Sequence, residues 1–298
     1  MYTYEEFKEN EIMLEGMKTL DMNDEELESL YIPDVEYVNY DGIGRVLQIL
    51  VPNKRVNKDE KYPLLVYVQG SAWHKQNVYS RIPQLGYVSR KGYVIAIVQY
   101  RESDIAPFPA QIQDTKTAIR FLRKHADEYR IDTNNVFVWG DSSGGHTALL
   151  TGLTEDIKEL DNNLYPEYSC NVNGIIDFYG VVDIRMTDGF PNTDNHQQAD
   201  SPEGYLLGKV NVLENMELAT KTVPMEYLEH DIPPILMIHG TKDRTVSFKH
   251  SIELYKALKE NNKEVEFYRL RKADHGGPAF YQDNVLNIVI GFVNKYRK

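Results

Sequence analysis

The chain has 298 residues, enough for one large domain or two small ones, and a chain of this size buries about 75% of its unfolded surface without help from staples. Lys and Arg number 33 against 45 Asp and Glu, and the net charge of −12 argues against nucleic acid or anionic lipid as a partner, because both need a basic face. The single cysteine, Cys170, excludes an internal disulfide and fits a reducing compartment.

The N-terminal stretch has no basic region followed by an apolar run, so no signal peptide is expected and a cytoplasmic location is. No apolar run reaches the roughly 18 residues of a membrane span. Residues 1–33 are acidic and loosely amphipathic through Phe7, Ile12, Leu14, Met17, Leu20, Leu27 and Leu30. They predict one or two helices lying over a surface, ended by Pro33.

Strand and helix signals then alternate. Val35–Tyr40 and Val46–Val51 alternate like an antiparallel pair joined through Asp41 and Gly42. Leu64–Val68, Val94–Val98, Val136–Trp139, Ile175–Tyr179, Ile235–Ile238 and Val265–Leu270 are short apolar runs suited to buried parallel strands. Helical patterns separate them at Tyr79–Lys91, Ala110–Glu128, Gly144–Thr151, Phe248–Glu260 and Phe280–Tyr296. Such alternation means a mostly parallel sheet, here of eight strands, with helices on both faces. Residues 184–231 break the pattern. They are polar, with scattered Pro and Gly, and are expected to form a small cap with short helices near Pro202–Leu207 and Glu214–Ala219. The whole chain is thus predicted as one α/β domain.

After the run Val136–Trp139 comes Gly140-Asp141-Ser142-Ser143-Gly144-Gly145. A serine between strand and helix in a G-x-S-x-G setting is lifted clear of the backbone on a sharp turn, and the helix N-terminus behind it favours developing negative charge. Ser142 is therefore the candidate nucleophile. Ser143, one position off the turn, is expected to supply a backbone N–H instead. A serine hydroxyl needs a base. His275, in Ala273-Asp274-His275-Gly276-Gly277, is the only histidine beyond the last strand. The acid is expected after the preceding strand, in His239-Gly240-Thr241-Lys242-Asp243, which selects Asp243. Asp183, one strand earlier, is the alternative. Asp274 adjoins His275 in sequence, where the two side chains diverge. His239 is read as a strand-end residue shaping its loop, and His146 as packing beneath the nucleophile turn.

The loop after the third strand reads Val68-Gln69-Gly70-Ser71-Ala72-Trp73. The N–H groups of Ser71 or Ala72, with that of Ser143, are expected to bind the oxyanion of a tetrahedral intermediate. Gly70, Trp73 and Asp141 are the expected substrate contacts. This chemistry needs no cofactor and no metal.

Several stretches resemble bacterial α/β-hydrolase esterases related to the hormone-sensitive-lipase-like group and to feruloyl and acetyl-xylan esterases. They are Tyr100-Arg101, Ala106–Asp114, Ala118–Leu122, Trp139–His146, Asp177–Asp183 and Pro233–Asp243. The resemblance covers about residues 60–295 and implies the α/β-hydrolase fold. It also implies hydrolysis of small-acyl carboxylic esters, such as acetyl or feruloyl groups on carbohydrate fragments. A peptidase or amidase on the same fold, or a non-catalytic binding protein, are the competing readings. The expected partner is a small ester, acylated oligosaccharides included, met by a monomer or homodimer.

Overall fold

The computed structural model describes residues 2–54, 60–186 and 196–298. Its elements run β1 (Glu28–Tyr40), β2 (Ile43–Asn53), β3 (Tyr62–Val68), α1 (Ile82–Ser89), β4 (Val94–Val98), α2 (Ala110–Lys124), β5 (Ile131–Asp141), α3 (Ser143–Leu153), β6 (Gly174–Phe178), α4 (Pro202–Leu206), α5 (Met216–Thr220), β7 (Ile235–Gly240), α6 (Lys249–Glu260), β8 (Val265–Leu270) and α7 (Asp283–Tyr296). The strands form one sheet in the order β1-β2-β4-β3-β5-β6-β7-β8. β1 and β2 pair antiparallel, β2 meets β4 antiparallel, and the rest is parallel. This is the α/β-hydrolase arrangement.

The strand sequences explain the layers. Every residue of β3, β4, β6 and β7 is buried, because helices cover both sheet faces. Alternate side chains go to opposite sides. Leu65, Tyr67, Ile95, Ile97 and Phe137 pack with Leu85 and Val88 of α1 and Val289 and Phe292 of α7. Leu64, Val66, Val94, Ala96 and Val136 pack with Ala118, Ile119 and Leu122 of α2. Val138, Ile175, Ile235 and Met237 meet Leu149 of α3 and Leu254 of α6.

The N-terminal expectation needs correction. Residues 2–26 are exposed and contain no helix, and Pro33 ends nothing. It lies inside β1, where pairing with β2 slips between Ile32 and Val35 and Asp34 takes φ 52°. A bulge accepts a proline because the extra residue makes no ladder bond. The preceding segment carries nine acidic residues and two basic ones between positions 2 and 27. Short isolated helices are marginal without a partner face, and Phe7, Ile12, Leu14 and Leu20 find none among the described residues.

The insert folds partly as expected. α4 and α5 fall where short helices were predicted, followed by a 3₁₀ turn at Pro224–Tyr227. Leu206, Leu207, Val212 and Ala219 join a core cluster with Trp73, Ile112, Leu150 and Val181. The insert is thereby packed beside the carboxyl ends of the strands. Its polar residues Asp188, Asn192, Asp194 and Asn195 lie outside the described residues, as does any roof they form over Ser142. Among the described residues no helix is long and apolar enough to cross a membrane.

Candidate active site

β3 and β5 are neighbours, yet the chain leaves them toward opposite faces, through α1 and α3 respectively. In open α/β sheets the loops at such a switch point enclose a crevice. The turn after β5 places Ser142 at φ 55°, ψ −127°, a region sparsely populated by residues with a Cβ. The turn is tight enough that a Cβ on Gly140 would sit 2.0 Å from Gly144 O, and one on Gly144 2.0 Å from Val68 O. Both positions need glycine for backbone to pass backbone. Ser142 N donates to Phe178 O at 2.8 Å, which ties the strained residue to β6.

Ser142 Oγ lies 2.9 Å from His275 Nε2, and His275 Nδ1 lies 2.8 Å from Asp243 Oδ2. Three loops, after β5, β8 and β7, thus meet in one hydrogen-bonded chain. With Nδ1–H donated to the carboxylate, Nε2 is left to accept the serine proton. Asp243 Oδ1 accepts from Thr245 N at 2.9 Å and Val246 N at 2.8 Å. Burial opposes ionisation of Asp243, but hydrogen bonds from His239 and His275 outweigh it and hold the carboxyl well below the usual range.

His239 is a partner that sequence reasoning missed. Its Nε2 is 3.0 Å from Val246 O and 3.2 Å from Asp243 Oδ2, and its Nδ1 is 2.7 Å from Ser251 Oγ. It shapes the loop, as expected, and also helps hold the acid. The signal was its place at the strand end, four residues before Asp243. Asp183 is engaged elsewhere. It takes a two-pronged bond from Arg185, 2.8 Å to each oxygen. Asp274 pairs with Arg244 and accepts His275 N at 2.9 Å, so it braces the histidine's backbone rather than its ring.

The amides near Ser142 sort themselves by what already occupies them. Ser71 N donates to Ser143 Oγ at 2.9 Å, so its expected place as an oxyanion donor is corrected. The N–H groups of Ala72 and Ser143 make no hydrogen bond with a described residue. Ala72 and Trp73 both take positive φ, 54° and 57°, as the loop turns back.

The three expected substrate contacts are corrected as well. Gly70 has no side chain to offer, and its N–H donates to Asp141 Oδ1 at 2.9 Å. A Cβ there would lie 2.7 Å from the Ser142 Cβ, so this glycine lets the loop approach the serine. Asp141 is 5% exposed. Besides Gly70 N, its carboxylate accepts Tyr67 OH at 2.7 Å and Tyr179 OH at 3.0 Å. Trp73 is 1% exposed and donates Nε1 to His146 Nδ1. All three hold the site from behind. Tyr179, unforeseen from sequence, lays its ring edgewise 4.9 Å from the His275 ring. Among the described residues no cluster of three or more His, Cys, Asp or Glu is arranged to hold a metal ion.

Comparison with known proteins agrees with this architecture. A truncated form of a carbohydrate esterase from gut microbiota superposes with a TM-score of 0.79 at 26% identity, covering 93% of this chain and 98% of that one. A bifunctional GH43-CE protein from Bacteroides eggerthii gives 0.79 at 29% identity over 94% of this chain and 36% of its own. Esterase LipC of Mycobacterium tuberculosis is 26% identical over 216 residues, 72% of this chain and 53% of its own length. The chain spans about half the length of the first curated relatives it matches. Residues 47–258 match the BD-FAE family, from β2 through most of α6, and the chain belongs to that family.

Proposed function

We propose that the protein is a serine hydrolase cleaving carboxylic esters of small acyl groups on carbohydrate-type alcohols. The observation that carries this reading is the hydrogen-bonded chain Ser142–His275–Asp243 beside the two unoccupied amides of Ala72 and Ser143. The esterase names of its relatives supply the bond type, and the carbohydrate esterases among them supply the alcohol.

In the reaction, Ser142 Oγ attacks the ester carbonyl carbon as His275 Nε2 takes the hydroxyl proton. The carbonyl π pair moves to oxygen, where the N–H groups of Ala72 and Ser143 receive it. Asp243 stabilises the imidazolium without taking its proton. Collapse breaks the bond to the alcohol, which leaves with the proton from His275. Water then attacks the acyl-serine, His275 again acting as base, and the carboxylic acid departs. The strained Ser142 backbone is part of the readiness for attack, because it holds the oxygen where the substrate arrives.

A panel of acetyl, butyryl and feruloyl esters beside matching anilides tests the reading. Turnover of the short esters is expected, and Ser142→Ala should lower it by three or more orders of magnitude, the usual cost of losing a triad nucleophile. Anilides cleaved faster than esters would replace the esterase by an amidase. Retention of more than about a tenth of the rate in Ser142→Ala would end the assignment of the nucleophile, since such residues are worth far more.

A further inference from the structure

His74 belongs to the same turn as Ala72 but takes no part in the hydrogen-bonded chain of the serine. Its N–H donates to Ser71 O at 3.0 Å, and Ser71 Oγ donates to its carbonyl at 2.6 Å. The residue is thus locked one turn from the amide expected to bind the oxyanion. Its ring is locked too. Nδ1 lies 2.6 Å from Asp104 Oδ2, and the loop carrying Asp104 is stapled to the turn by Ser103 N donating to Trp73 O at 2.9 Å. With the carboxylate on Nδ1, the opposite nitrogen, Nε2, faces away from Asp104 and bonds no described residue.

The insert brings a second polar group to the same place. Tyr205 of α4 sets its ring against the His74 ring, with centroids 5.1 Å apart at 68°. The hydroxyl of Tyr205 makes no hydrogen bond with a described residue. Lys209 Nζ lies 5.1 Å from the centre of the Tyr205 ring. α4 cannot drift, because Phe108 N donates to Leu206 O at 2.8 Å and the Ser201 hydroxyl caps the helix through Gly204 N. Both side chains of the His74–Asp104 pair are over one-third exposed. An exposed pair of this kind contributes little to stability, so fold maintenance does not account for it.

We propose that His74, oriented by Asp104, and Tyr205 form a subsite for the hydroxyl groups of the sugar that carries the ester. The inference rests on the carbohydrate-esterase reading and names its alcohol side. His74, Asp104 and Tyr205 together offer an imidazole nitrogen, a carboxylate oxygen and a phenol, a mixture of donors and acceptors that matches vicinal hydroxyls. Asp104 and Lys209 balance in charge, which favours a neutral sugar over a uronate. Because His74 and Ala72 share a turn, a sugar held there is held in register with the oxyanion.

The test compares kcat/KM for acetylated xylobiose with that for 4-nitrophenyl acetate in the wild type, His74→Ala and Tyr205→Phe. Each lost hydrogen bond is expected to lower the ratio of sugar ester to aryl ester by about five- to tenfold, the usual worth of one bond to a ligand. Tyr205→Phe keeps the ring packing, so its effect isolates the hydroxyl and guards against a folding artefact in His74→Ala. An unchanged ratio in both variants overturns the subsite. Direct titration of unesterified xylobiose onto wild type and His74→Ala reads the subsite without turnover. If no ester is cleaved but xylobiose binding weakens in the variant, the esterase reading fails and the subsite stands. If xylobiose binds both proteins alike, the subsite fails whatever the enzyme cleaves.

Discussion

Trp73 Nε1 donates across 3.2 Å to His146 Nδ1, while the opposite nitrogen of the same imidazole lies 2.8 Å from Thr222 O. One buried ring therefore joins the loop after β3, the helix behind Ser142 and the end of the insert. Trp73 can only donate and the carbonyl can only accept, so His146 is neutral with its proton on Nε2. Protonation would break the bond to Trp73.

Burial lowers the His146 pKa to about 4, with a smaller opposing contribution from the bond to Thr222. The folded value lies below the unfolded one, so this histidine's contribution to stability is present above pH 6.5 and is lost as pH falls toward 4. His146→Gln removes that loss. The stability difference between wild type and His146→Gln should shift in favour of the variant by about 1.4 kcal/mol per pH unit over that window. Denaturant midpoints at pH 7 and 5 check this, and a pH-independent difference would refute it.

Asp177 has the opposite sign. It is buried in β6, its Oδ2 has no hydrogen bond among the described residues, and burial raises its pKa to about 7 against a single bond from Gly180 N. The folded value exceeds the unfolded one, so its favourable contribution holds at acid pH and fades as pH rises from about 4 to 7. Asp177→Asn should match the wild type near pH 4 and exceed it in melting temperature at pH 8. Equal melting temperatures at pH 8 would show that the carboxylate is solvated or paired.

Asp243→Asn should lower kcat by roughly 10³–10⁴-fold, because the amide no longer fixes the imidazole tautomer that leaves Nε2 free to accept. Asp183→Asn should keep kcat within a few-fold, since its partner is Arg185 and not His275. Steady-state rates on one short ester decide between them. A dead Asp183→Asn beside an active Asp243→Asn would move the acid to the loop after β6.

Tyr179→Phe should separate support from chemistry. The change keeps the ring edge against His275 and removes the hydroxyl bond to Asp141. A buried carboxylate losing one donor should cost about 1–3 kcal/mol of stability. KM should stay within about twofold, because the lost bond lies behind the site and not on its substrate face. A large rise in KM with unchanged stability would place Tyr179 on the substrate instead.

The strands and the serine on its turn were legible in the sequence because each is a local pattern. A fully buried strand such as Val94–Val98 must be an unbroken apolar run, and Gly140, two residues before Ser142, answers to a steric contact with Gly144 only four residues on. His275 and Asp243 were singled out by their positions after the last two strands, and the fold brings both into one hydrogen-bonded chain with Ser142. What only the folded molecule decided is which polar group meets which. Asp141 and Trp73 looked like substrate contacts because they flank the site in sequence, but their partners are Tyr67, Tyr179 and His146, between 38 and 74 residues away. The same holds for Ser71, whose amide is spent on Ser143 Oγ, while the amide of Ala72 has no hydrogen bond among the described residues. The N-terminal segment shows the converse. Its amphipathic spacing promised helices, but without a surface to bury that face the entropy of the chain prevails, and residues 2–26 form only isolated turns in solvent.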